Sequence, residues 1–320
     1  MIFSEDYIKA LCGKAKPRKP RLGIMYMGGK GELAKKIVDA MLPADVFVDC
    51  FGGGGSVALE AMLSGKYKKV VYNELEPLIY EAFQCAVTGS RSGTYPRFVG
   101  KEEYFKLDDG VLRVCFSWNG CWWKYAYQER HVRLLEGMHN FVCYNDSSLL
   151  VDVLPDLQDD FLLLDKLCYD FDTKRTSLQK LVSNYLGQRG EFGENWKEGT
   201  SSIRLLHLER WNRIEATSNV CKESDAELVV VNGDYKDALS HVSGTAVVYC
   251  DPPYKGTYGY NDKVFEHDDF MQWFKELSYP AYLSEKLEVP ELVKVLELTN
   301  HGRIAYNVKH FDEYLYWNGR

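Results

Sequence analysis

The sequence predicts an α/β fold, an open and mainly parallel sheet interrupted by a long inserted module. Three observations carry that expectation. Short apolar runs recur, and each ends in a polar or glycine-rich turn. One run leads through a glycine loop into a helical stretch. Between the runs, from about Tyr95 to Ile214, the composition changes.

Val46-Phe47-Val48-Asp49-Cys50 reads as a buried parallel strand, followed by Gly52 to Gly55 and a helix over Ser56 to Leu63. Lys69-Val70-Val71-Tyr72 ends at Asn73-Glu74, and Leu228 to Val231 ends at Asn232-Gly233-Asp234. Ala246 to Cys250 ends at Asp251-Pro252-Pro253-Tyr254. Open α/β sheets bind ligands beyond the carboxyl ends of their strands, so these turns hold the candidate site. Gly302 to Asn307 and Glu313 to Gly319 are expected to form a closing pair of strands. The middle holds Trp118, Trp122, Trp123, Tyr125, Tyr127, Tyr185 and Trp196, with charges of both signs. It reads as a separate, mainly helical module. The expected division is a discontinuous domain over 1–90 and 225–320, with 91–224 inserted.

Composition narrows the classes. With 320 residues, 46% hydrophobic and 27% charged, the chain has enough apolar mass for one large domain or two linked ones. No apolar run is long enough to span a bilayer, and Met1 to Asp6 lacks the core of a signal peptide. Nine scattered cysteines with no Cys-x-x-Cys, and no His-Glu-x-x-His, argue against a disulfide framework or a zinc site, and no metal is expected. A reducing cytoplasm is the expected compartment. The net charge of −7 disfavours a protein that coats nucleic acid, but leaves room for a local basic face. One basic cluster exists: Lys14, Lys16, Arg18, Lys19 and Arg21, which suits a solvated arm or a phosphate-binding one.

Gly53, Gly55 and Ala58 fit the spacing of a dinucleotide fingerprint, with Glu74 where a ribose-binding acid is expected. A ligand-free turn and a nicotinamide dehydrogenase fit these residues as well. Asp251-Pro252-Pro253-Tyr254 separates the options. Two prolines end the strand and fix the backbone, leaving the Pro252 carbonyl to accept from something other than the sheet. An aromatic amine is a poor nucleophile because its lone pair is delocalised. The Asp251 carboxylate and the Pro252 carbonyl together can hold its amino hydrogens and favour the tetrahedral nitrogen. Tyr254 offers a face on which an extruded base can stack.

These residues resemble the Dam-like, D12 class adenine-N6 DNA methyltransferases. Tyr26-Met27-Gly28-Gly29-Lys30 is similar to the family's N-terminal cofactor motif. Val48-Asp49-Cys50-Phe51-Gly52-Gly53-Gly54-Gly55-Ser56-Val57 is similar to its Phe-x-Gly-x-Gly motif, and Asp251 to Tyr254 matches its catalytic motif. Val71 to Glu76 and Leu208-Glu209-Arg210 are smaller matches. The resemblance implies a Rossmann-like, S-adenosylmethionine-dependent sheet with an inserted target-recognition domain. It implies methyl transfer from S-adenosylmethionine to N6 of an adenine flipped out of double-stranded DNA. It implies that Tyr26 and Lys30 contact the methionine end, with Lys30 pairing its carboxylate and Asp251 nearby. Phe51 and Gly53 pack against the cofactor, Glu74 holds the ribose, and Asp234 and Tyr235 border the adenine. Asp251, Pro252, Pro253 and Tyr254 hold the target base.

The chain departs from the family pattern at Glu74, where aspartate is usual, at Cys50, where proline is common, and at Lys286, where an aromatic is frequent. Arg189-Gly190-Glu191-Phe192 is similar to part of a sequence-reading hairpin, but the residues after it diverge. Exposed Arg175, Lys180, Asn184, Gln188 and Arg189 are the expected DNA contacts, since arginine pairs guanine and amides pair adenine in the major groove. Three other readings are weighed: a decayed methyltransferase that only binds DNA, a nicotinamide-dependent oxidoreductase, and methylation of RNA or of protein amides. The second leaves Asp251 to Tyr254 without a task. Neither an obligate protein partner nor a membrane is expected.

Overall fold

The computed structural model describes residues 1–13, 21–193, 197, 202–254, 265–300, 303–304, 307–308 and 311–320. Lys14, Lys16, Arg18, Lys19, Trp196, Gly302, Ala305 and Tyr306 lie outside the described residues. The chain divides into two compact units. One comprises Met1–Pro20, Gly93–Leu107 and Cys115–Asn212, and the other Arg21–Ser92, Asp108–Val114 and Arg213–Arg320.

The second unit is built on a seven-stranded sheet. Its strands are β1 (Val46–Asp49), β2 (Lys69–Glu74), β3 (Glu227–Asn232), β4 (Ala246–Cys250), β5 (Ala281–Glu285), β6 (Val293–Asn300) and β7 (Phe311–Trp317). Their spatial order is β3-β2-β1-β4-β5-β7-β6. The first five pair in parallel, and β7 runs antiparallel between β5 and β6. Parallel strands are covered on both faces, which is why β1 and β4 are apolar at nearly every position and buried at all of them. Val46, Val48 and Cys50 join Val248, Phe270, Phe274 and Leu283 in one core, under the helix His267–Glu276. On the other face Tyr72 of β2 stacks on Phe83 of the helix Pro77–Thr88, with ring centroids 3.8 Å apart. The edge strand β3 is only half-buried.

The closing pair differs from expectation. Phe311–Trp317 is a strand, but it pairs with Val293–Asn300, while Arg303–Ile304 pairs with Asn307–Val308 in a separate small ladder. Val293 to Leu298 does not alternate strictly, since Val295 and Leu296 are adjacent apolar residues, and Val293 and Val295 are exposed while Leu298 is buried.

The first unit is mainly helical. The helices Glu5–Cys12, Val132–Tyr144, Ser148–Val153, Gln158–Leu167 and Phe171–Gln188 enclose a core that includes Ile8, Met138, Phe141, Leu150, Phe161, Leu178 and Leu181. Asp170 caps the last of these helices by accepting from the Thr173 N–H at 2.8 Å. A short hairpin joins Ser117–Trp118 to Cys121–Tyr125 through Asn119 and Gly120, both at positive φ. Inside this unit His139 Nδ1 lies 2.9 Å from His207 Nε2, and His207 Nδ1 lies 2.7 Å from the Tyr127 hydroxyl.

Candidate active site

The strand order reverses beside β1. The chain passes from β1 outward to β2 and β3, then returns on the other side of β1 as β4. Crevices at such reversals, at the carboxyl ends of the strands, are where open sheets take ligands. The two loops that leave β1 and β4 there are Phe51 to Gly55 and Asp251 to Tyr254.

Each glycine of the first loop meets a specific neighbour. A Cβ on Gly52 would lie 2.2 Å from the Tyr72 ring, on Gly53 2.8 Å from Tyr26, on Gly54 2.9 Å from the Ile24 carbonyl, and on Gly55 1.9 Å from Phe83. Gly53 and Gly55 also sit at positive φ. The loop is thus pressed between the protein's own rings. Tyr72 holds it further by donating to the Gly53 carbonyl at 2.7 Å.

Glu74, at the end of β2, is pinned by backbone donors. Its carboxylate accepts from Gly53 N at 2.9 Å and from Glu76 N at 2.8 Å. Burial pushes its pKa up to about 7, against the pull of those N–H groups. Three polar side-chain atoms near these strand ends are buried with no partner among the described residues: Asp49 Oδ1, Ser56 Oγ and Asn73 Oδ1. Such atoms suit a polar ligand. Phe51 stacks on Tyr235 with centroids 5.2 Å apart, and Tyr235 meets Trp273 edge-on at 4.7 Å. Asp234 sits in the turn after β3, where its Oδ1 accepts from Lys236 N.

At the second loop the side chains converge. The Lys30 ammonium reaches the two oxygens of Asp251 at 2.7 and 2.9 Å, the Tyr254 hydroxyl at 2.7 Å and Glu313 at 3.2 Å. Tyr254 in turn donates to Asp251 at 3.1 Å. Burial raises the Asp251 pKa to about 6, with Lys30 pulling it down and Glu313 pushing it up. Pro252 is buried and Pro253 half-buried, and strand β4 stops at Cys250 as the prolines dictate. The Lys286 ammonium lies 4.6 Å over the Tyr254 ring.

Residues 26–106 match the family model of the D12 class N6 adenine-specific DNA methyltransferases. The match supports a DNA adenine-N6 methyltransferase. No curated protein matches the chain. The mostly parallel seven-stranded sheet is consistent with a methyltransferase fold. The matched segment contains Tyr26, Lys30, Phe51, Gly53 and Glu74, while Asp251 to Tyr254 lie beyond it.

The expected DNA contacts fall into two groups. Gln188 and Arg189 are exposed and Lys180 is half-buried. Arg189 reaches Tyr185 Oη at 2.6 Å and Asp156 at 3.3 Å. Arg175 and Asn184 are not exposed as expected. Arg175 is held by Asp172 at 3.0 Å and Glu209 at 3.2 Å, and Asn184 is fully buried with its amide on the Tyr7 hydroxyl. Two acids escaped the sequence reading. Glu313 contacts Lys30, and Asp49 is buried at the end of β1, where burial and the Asp251 charge raise its pKa to about 8. The available signal was an acid inside one apolar run, Val46 to Cys50, and one directly before another, Tyr314 to Trp317.

Proposed function

We propose that this protein transfers a methyl group from S-adenosylmethionine to N6 of an adenine extruded from duplex DNA. The observation that carries the reading is the convergence of Lys30, Asp251 and Tyr254 beside the glycine loop of β1. Glu74 suits the ribose hydroxyls, because each of its oxygens keeps a lone pair beyond the backbone donor it serves. Tyr26, Lys30, Phe51, Gly53, Asp234 and Tyr235 complete the proposed cofactor set, with Asp251 near the methionine end. When bound, S-adenosylmethionine supplies an electrophilic methyl carbon on its sulfonium. The protein's task is to position the amine. Asp251 and the Pro252 carbonyl take the amino hydrogens, which frees the nitrogen lone pair for in-line attack. Pro253 stiffens that turn, and Tyr254 supplies the stacking face that offsets the cost of extrusion. The methylated nitrogen is acidic enough to release its proton without a strong base.

The helical unit suits a target-recognition role for the inserted segment 91–224, with Lys180, Gln188 and Arg189 as its candidate DNA contacts. All nine cysteines are free thiols, which fits a cytoplasmic setting. No helix among the described residues is long and apolar enough to cross a membrane. The test is direct. Purified protein is incubated with methyl-labelled S-adenosylmethionine and duplex DNA, and the digested nucleosides are separated. Label in N6-methyladenine supports the proposal. DNA binding without label supports the decayed-enzyme reading instead.

A further inference from the structure

Glu313 lies in the middle of β7 and is almost fully buried. An ionised carboxylate so placed is unfavourable unless a partner compensates for its lost hydration. The partner here is Lys30, itself buried, at 3.2 Å. Lys30 also serves Asp251 and Tyr254, so two acids converge on one base.

This arrangement meets a specific need. Asp251 has to accept an amino hydrogen of the substrate on a carboxylate that Lys30 already contacts, so the ammonium must be held where it leaves a lone pair open. An ammonium held by Asp251 alone would keep that carboxylate engaged or drift away with it. Glu313 gives the ammonium a second anchor, on a strand that is paired on both sides by β5 and β6. The negative charge of Glu313 also faces Asp251 and opposes its ionisation.

We propose that Glu313 is a positioning residue for methyl transfer, anchoring Lys30 from β7 so that Asp251 is aimed yet free to bind the amine. The inference rests on the proposed function. Wild-type protein is therefore assayed first, and absence of N6-methyladenine at every pH overturns that reading rather than the role of Glu313. With active wild type, kcat and KM are measured across pH for Glu313→Gln and Glu313→Asp. In Glu313→Gln kcat is expected to fall about tenfold or more. The acid limb of its pH profile is expected to move to lower pH, because the charge opposing Asp251 ionisation is gone. Glu313→Asp keeps the charge on a shorter stem, so kcat falls while the acid limb stays in place. Wild-type kcat in Glu313→Gln, or a loss with an unmoved acid limb, overturns the proposal. If circular dichroism shows that Glu313→Gln does not fold, Glu313→Asp decides alone, and full kcat in that variant overturns the anchor.

Discussion

The Lys30 ammonium lies 2.7 Å from the Asp251 carboxylate although 221 residues separate them in the chain. Lys30 is buried and Asp251 half-buried, and Tyr254 is hydrogen-bonded to both. Lys30 also pairs with Glu313, so loss of Lys30 leaves two acids without their shared base, and loss of Asp251 takes away the acceptor proposed for the amine.

Asp251→Ala is therefore expected to nearly abolish methyl transfer in a single-turnover assay on duplex DNA. Tyr254→Phe keeps the stacking face but loses the hydroxyl that Lys30 and Asp251 share, so its rate is expected to be intermediate. Tyr254→Ala loses both and is expected to fall further. Equal rates for the Phe and Ala variants remove the ring from the mechanism.

Glu74 has a double duty, holding Gly53 and, in the proposed function, the ribose. Glu74→Ala is expected to weaken S-adenosylmethionine binding by about 1.5–3 kcal/mol, the range for hydrogen bonds to a charged group. Isothermal titration calorimetry measures this. An unchanged affinity reassigns the ribose acid.

Gly55→Ala places a methyl 1.9 Å from the Phe83 ring at a φ of +74°. The left-handed backbone costs about 1–2 kcal/mol and overpacking about 1–3 kcal/mol more. A thermal midpoint within a degree of wild type contradicts this account of the loop. Gly28→Ala is the contrast, because it shares the positive φ but has open space around its Cβ, so it isolates the backbone cost.

The paired histidines make the helical unit sensitive to acid. Burial lowers the His139 pKa to about 4 and holds His207 well below its ordinary value of 6.5. Both are neutral in the fold, whereas the unfolded chain takes up their protons near pH 6.5. Stability from this source is complete above pH 6.5 and is lost as pH falls from there toward 4. Urea unfolding at pH 7.5 and 5.0 measures the slope, and His139→Gln is expected to flatten it. A steeper slope in that variant reverses the sign and refutes the assignment.

The parallel core and its turns were readable because β1, β2 and β4 are apolar runs punctuated by glycine and proline. The neighbours that require each glycine were not readable, since Tyr26, Tyr72 and Phe83 arrive from other parts of the chain. The hairpin turn Asn119-Gly120 carried a local signal that composition alone hid. Polar residues on the helix Phe171–Gln188 misled for a different reason. Gln179 accepts from Leu205 N at 2.6 Å, and Ser183 accepts from Ser202 N and Ile203 N at 3.0 Å each. These side chains face inward to satisfy the backbone of the irregular segment before Leu206, so a polar residue there marks the interior. Asn184 is buried beside them, which no pattern of apolar spacing reveals.

Strand β7 lies between β5 and β6, though both precede it in the chain. β5 and β6 do not pair with each other, and β7 joins β5 either alone or already paired with β6. Until Phe311–Trp317 docks, β5 presents an open row of backbone donors and acceptors. That interval is the time at which another copy of the chain can insert in its place. Refolding yield is thus expected to fall with rising protein concentration, and a synthetic Phe311–Trp317 peptide added during refolding is a competitor for the same slot.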